Sequence, residues 1–160
     1  MLAPITVAEV MRSPVETIRP DESARAAATR LFEQGIGSLV VCENGHPVGI
    51  VTDVDISQLV SKGGDPETTT VEQVMGTPLV SIDCEAQIEA AAERMRENDI
   101  KRLPVLEDET VVGIVTTTDL ANYLPHLVQM GRADEPSAER ERVSVRVDTA
   151  YERDEWEFEY

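Results

Sequence analysis

Gly49-Ile50-Val51-Thr52-Asp53-Val54-Asp55 is written a second time, as Gly113-Ile114-Val115-Thr116-Thr117-Thr118-Asp119. The same offset of 64 residues carries Val10-Met11 onto Val74-Met75 and Ile36 onto Ile100, without a gap. Self-similarity at a fixed offset marks a duplicated unit. In each copy a short apolar run ends in Thr and gives way to a stretch with Asp three residues on. That is the pattern of a buried strand feeding a helix with an acid in its first turn.

A chain of 160 residues is one ordinary domain, or two half-size units sharing a core. A hydrophobic content of 41% suffices for a core, and 4% aromatics means that Val, Ile, Leu and Ala fill it. The 31 acids against 14 bases give a net charge of −17. Such a surface repels phosphodiester backbones and anionic lipid, which argues against nucleic acid and membrane as partners. Lys62 and Lys101 are the only lysines. Many acids with almost no Lys is a composition expected of a high-salt cytoplasm, as in a halophilic archaeon, where screening tames self-repulsion. Cys42 and Cys84 occupy unmatched positions and belong to no CxxC, so neither a zinc site nor a disulfide framework is expected, and Cys42 reads as a small buried hydrophobe. No basic-then-apolar leader and no membrane-length apolar run is present, which points to a cytoplasmic location.

Within the first copy, Thr6 can cap a short helix over Val7 to Met11, and Val15 to Ile18 reads as a brief strand. Ala24, Ala27, Ala28 and Leu31 define an amphipathic helix from Glu22 to Gln34, ended by Gly35. Leu39–Cys42 and Pro47–Val51 pair through an Asn44-Gly45 hairpin turn. A helix then runs from the Thr52 junction to about Val60. The second copy repeats the course: a helix over Val71 to Met75, a strand over Leu79 to Ile82, and a helix after Glu85 burying Ile88, Ala91, Ala92 and Met95. Strands Leu103–Leu106 and Val111–Val115 follow, then a helix from near Thr117 towards His126. The expected boundaries are 5–62 and 71–126 for the repeats, 63–70 for a linker and 131–160 for an acidic extension. In that extension Val143, Val145 and Val147, then Trp156, Phe158 and Tyr160, alternate with polar residues. This fits either a β-hairpin or a disordered acidic tail.

The Thr–Asp spacing at the repeated junction has two physical readings. A helix N-terminus offers unpaired N–H groups and the positive end of the dipole, a ready anion site, where a Thr hydroxyl can donate to phosphate. An ionised Asp one turn on accepts two hydrogen bonds, which suits the vicinal hydroxyls of a ribose. Thr52 with Asp55 and Thr116 with Asp119 would then serve a nucleoside phosphate. Equally, Thr-x-x-Asp is close to a capping box, in which the two side chains satisfy each other's backbone amides. The two readings compete for the same carboxylate.

The Val-Met-x-x-Pro opening, the strand pair and the Gly-h-x-Thr-x-x-Asp close, all in tandem over residues 5 to 125, resemble a pair of cystathionine beta-synthase (CBS) domains. The resemblance implies an α+β fold in which two β-α-β-β-α repeats pack about a pseudo-two-fold axis. It further implies two clefts for adenosine-type ligands such as AMP, ADP, ATP or S-adenosylmethionine. One cleft would join Thr116 and Asp119 with Ser13, Pro14, Val15 and Glu16; the other would join Thr52 and Asp55 with Thr77, Pro78, Leu79 and Val80. Gly37-Ser38 and Lys101-Arg102 would face the phosphates. Only the second of these pairs is cationic, which favours the Thr116/Asp119 cleft as the tighter site. The resemblance also implies a homodimer joined through the helices after Thr52 and Thr116.

No P-loop, dinucleotide fingerprint or nucleophile with a base is found, and neither His46 nor His126 has metal-site spacing. The chain is therefore expected to be a non-catalytic sensor of an adenine nucleotide that acts on an effector protein. A structural interaction module with empty clefts, or the regulatory subunit of an inosine monophosphate dehydrogenase-like enzyme, is the alternative.

Overall fold

The computed structural model describes residues 3–123; the expected hairpin in the extension, and His126, lie outside them. Asn44 and Gly45 take φ of 51° and 80°, the doubly left-handed turn that matches the twist of two antiparallel strands, and so join β2 (Ser38–Glu43) to β3 (His46–Thr52). In the second repeat Asp108 and Glu109 (φ 48° and 65°) make the same turn without a glycine, between β5 (Arg102–Glu107) and β6 (Thr110–Thr116). A two-residue strand, β1 (Thr17–Ile18) or β4 (Ile82–Asp83), adds in parallel to the hairpin, giving two three-stranded sheets of order β1-β2-β3 and β4-β5-β6. Their registers match residue for residue at the 64-residue offset, including a bulge after Val41 and after Val105.

Four helices are set out along the repeats: α1 (Val7–Val10), α2 (Ala24–Gln34), α3 (Asp53–Ser61) and α4 (Val71–Val74). They are followed by α5 (Ile88–Asn98) and by α6, which begins at 117 and is described to 123. The Ser23 hydroxyl accepts from the Ala26 amide at 3.0 Å to start α2, and Gly35 (φ 62°) ends it. Asp99 ends α5 in the same left-handed conformation.

Three expectations are corrected. The strand expected from Val15 begins only at Thr17, and that expected from Leu79 only at Ile82, because the preceding residues leave the sheet edge. Ala92 is exposed rather than buried; it lines an apolar groove of about 450 Å³ between α5 and α6. Of the two cysteines it is Cys84 that is buried, while Cys42 is half-buried; both are free.

The repeats in sequence are not the units of packing. Val7 of the first repeat lies in a core with Ile82, Ala91, Met95, Leu103, Val105 and Val115 of the second. Val71 of the second lies with Ile18, Ala27, Leu31, Leu39, Val41 and Val51 of the first. Each opening helix thus fills the other repeat's core. Backbone bonds tie it there symmetrically: Val7 N to Ala86 O and Val71 N to Glu22 O, both 2.8 Å. The crossing continues into Arg12, which exchanges N–H···O bonds with Ile114 (2.9 and 3.0 Å), and into Gly76, whose amide donates to Ile50 O (2.8 Å).

The crossing explains the glycine that opens each repeated stretch. A Cβ on Gly113 would lie 2.5 Å from Met11 Sδ and 2.8 Å from the Arg12 carbonyl; on Gly49 it would meet Met75 Sδ at 2.7 Å and the Gly76 carbonyl at 3.1 Å. Gly113→Ala is therefore expected to destabilise by about 1–3 kcal/mol in urea unfolding, and Gly49→Ala by less, since there both the methionine sulfur and the backbone carbonyl lie farther off. Burial, with Glu107, Asp83 and Glu85 nearby, raises the Cys84 thiol above its ordinary 9.0, and burial raises Cys42. Both thiols should react slowly with a disulfide reagent at pH 8 in the folded chain and rapidly in urea.

Candidate functional site

At both junctions the capping box forms. Asp55 Oδ2 accepts from the Thr52 amide (2.7 Å) and hydroxyl (2.9 Å), while the Asp55 amide donates back to Thr52 Oγ1 (3.3 Å). Asp119 Oδ2 accepts from the Thr116 amide and hydroxyl, both at 2.9 Å, and its own amide donates to Thr116 Oγ1 at 3.2 Å. The next amide is used as well: Asp53 N donates to Gly37 O (3.3 Å) and Thr117 N to Lys101 O (2.9 Å). These bonds satisfy helix-start donors. They also dock the segment preceding each middle strand beside the junction of its own repeat.

A cleft of about 340 Å³ opens at the second junction. One wall is the opening segment of the first repeat, Pro14, Val15 and Glu16; another is Gly37-Ser38; the third is Lys101-Arg102 with Thr116. The residues that leave the sheet edge before β1 are thus a wall of the cleft. Ser13 is exposed at its margin. Arg102 bridges the repeats, donating from Nη1 to the Gly37 carbonyl at 2.8 Å, and a Cβ on Gly37 would sit 3.0 Å from that nitrogen. Gly37 and Arg102, expected to face the phosphates of two clefts, meet in one cleft. At the positions expected to line the other cleft, Thr77 and Pro78 are exposed and Leu79 and Val80 half-buried. A groove of about 750 Å³ by the first hairpin has its polar wall already paired, Arg30 donating to Glu22 and to the Thr17 carbonyl, so it is the weaker candidate.

Arg12 is the residue the sequence reading missed. Its Nε donates to Asp119 Oδ1 at 2.8 Å; the Asp119 side chain is 7% exposed and that of Arg12 64%. The offset partner of Arg12 is Gly76, which has no side chain. Laying one repeat over the other would have revealed this inequality without a structure. Among the described residues no cluster of His, Cys, Asp and Glu could hold a metal ion, and no helix is long and apolar enough to cross a membrane.

The CBS domain family model matches residues 7–62 and 71–126. An uncharacterized protein of Methanopyrus kandleri is 34% identical over 127 residues, 78% of this chain and 65% of the relative, so the chain spans under two thirds of that protein. The CBS domain-containing protein YhcV of Bacillus subtilis is 34% identical over 116 residues, 72% of this chain and 83% of the relative. Among solved structures, the CBS domain pair of protein MJ0100, in complex with 5′-methylthioadenosine and S-adenosyl-L-methionine, superposes with a TM-score of 0.72 at 25% identity, covering 78% of this chain and 99% of that one. Two repeats that exchange their opening helices, a doubled Thr–Asp junction and a family match over both copies place this chain in the CBS domain family, as a tandem pair.

Proposed function

We propose that the chain is a regulatory module that binds an adenosine-type ligand in the clefts between its two CBS repeats and performs no chemistry of its own. The observation that carries this is the cleft itself: apolar Pro14 and Val15 on one side to take a base, a cationic Lys101-Arg102 pair on the other, and the Thr116 helix start between them. The adenosine compounds held by the MJ0100 pair support the ligand class. Ligand binding would act by favouring one arrangement of the repeats, or of two copies, over another. Val54 and Val60 on α3 are exposed, 69% and 56%, and suit a homodimer formed through α3 and α6. A separate effector protein would read that state.

Calorimetric titration in multimolar KCl, to screen the −17 charge, tests the proposal with AMP, ATP and S-adenosylmethionine. Binding at micromolar Kd is expected for at least one, weakened about 10- to 100-fold when the Asp of the occupied cleft becomes Ala, as for loss of hydrogen bonds to a charged group. Circular dichroism on each variant separates lost binding from a lost cap. Arg102→Ala should weaken ATP more than S-adenosylmethionine, which has no phosphate. Failure of a folded wild-type chain to bind any of the three refutes the proposal.

A further inference from the structure

We infer that Arg12 is a built-in competitor for the ribose position of one cleft, so that the pair holds one open site and one plugged site. The inference rests on the adenosine reading of the clefts and goes beyond it by setting their order.

A carboxylate offers about four lone-pair positions. The capping box uses two of them at each junction, both on Oδ2, for the Thr amide and hydroxyl. Asp55 then keeps two acceptor positions, as many as the donors of a vicinal diol. Its Oδ1 has no hydrogen-bond or ion-pair partner among the described residues. Asp119 does not match it, because Arg12 Nε takes a third position at 2.8 Å, on the oxygen a ribose would need. The Asp119 side chain is 7% exposed and sits beneath Arg12, so a diol reaches it only after the guanidinium leaves. Chain geometry holds the plug in place, since the Arg12 backbone is paired in both directions with Ile114, two residues before Thr116.

The symmetry of the fold supplies the control. Gly76 occupies the same position against Ile50 that Arg12 occupies against Ile114, with the same bridge, and brings no side chain to Asp55. At the carboxylate itself the two junctions therefore differ by one guanidinium on otherwise matched backbone. Lys101-Arg102, which marks the Thr116 cleft as the better phosphate site, and Arg12, which blocks its carboxylate, act in opposite directions there. A neutral nucleoside should fill the Asp55 cleft first. The Thr116 cleft opens only to a ligand whose phosphates draw Arg12 away from Asp119.

The probe is 5′-methylthioadenosine, which has a vicinal diol and no charge, titrated calorimetrically into the wild-type chain and its variants. The wild type should bind, and Asp55→Ala should remove the stronger event. In the Asp55→Ala background, adding Arg12→Ala should strengthen binding about tenfold or more, while adding Arg12→Lys should not. A further Asp119→Ala should abolish the gain. The Arg12 side chain is largely exposed, and an unchanged urea midpoint for Arg12→Ala confirms that folding is not at issue. Equal affinity of Asp55→Ala and Asp55→Ala/Arg12→Ala, with the wild type binding, overturns the plug and leaves the ligand reading intact. No binding to the wild type or to Arg12→Ala overturns both.

Discussion

At Gly113 and Gly49 the closing strand of one repeat runs against the opening segment of the other so tightly that a methyl group would lie 2.5 and 2.7 Å from a methionine sulfur. Everything else in the module follows from that contact. It lets Arg12 pair with Ile114 and Gly76 with Ile50, which brings each opening helix over the far core, where Val7 and Val71 are fully buried. A unit of this size buries too little apolar surface to be secure alone, and exchange of the opening helices makes the two cores interdependent. The same crossing sets Pro14, Val15 and Glu16 of one repeat beside Thr116 of the other. The cleft is a by-product of how the cores are completed.

Much of this was legible in the chain. The duplicated stretch, the Asn44-Gly45 turn and the α2 periodicity each have a local cause, and a local cause can be read from neighbouring residues. What stayed hidden depended on partners far away in sequence. The Thr–Asp spacing allowed either a cap or a ribose clamp; the bonds formed are those of the cap, and only the third dimension shows which oxygen remains. Val15 and Leu79 read as strand because they are apolar, yet both precede the paired residues, and Val15 lines the cleft at Thr116 instead. Ala92 has the helical spacing of a core residue and faces a groove instead, because α6 leaves room there. Arg12 carries no motif. Its meaning emerges only when Gly76 is laid over it.

The duplication gives the chain two Thr–Asp junctions by one construction and then lets them diverge. Lys101-Arg102 stands opposite Gly37-Ser38 at the offset, and Arg12 opposite Gly76, so every cation that distinguishes the clefts belongs to one of them. In a protein with a net charge of −17 such cations are scarce, and Arg12, Lys101 and Arg102 all line the cleft at the Thr116 junction. Arg102 spends one donor on the Gly37 carbonyl and Arg12 one on Asp119, so both are held in place while further donors remain available to a ligand.

The central claim, that adenosine-type ligands bind where the repeats cross, is tested most directly by amide chemical-shift mapping of the ¹⁵N-labelled chain with 5′-methylthioadenosine. The account predicts saturable shifts gathered first at the Thr52 junction and in the opening segment at 79–80, with those at the Thr116 junction, Lys101-Arg102 and 15–16 appearing once Arg12 is replaced by Ala. A folded chain whose amides do not move at millimolar ligand, or move only along the groove between α5 and α6, would contradict it.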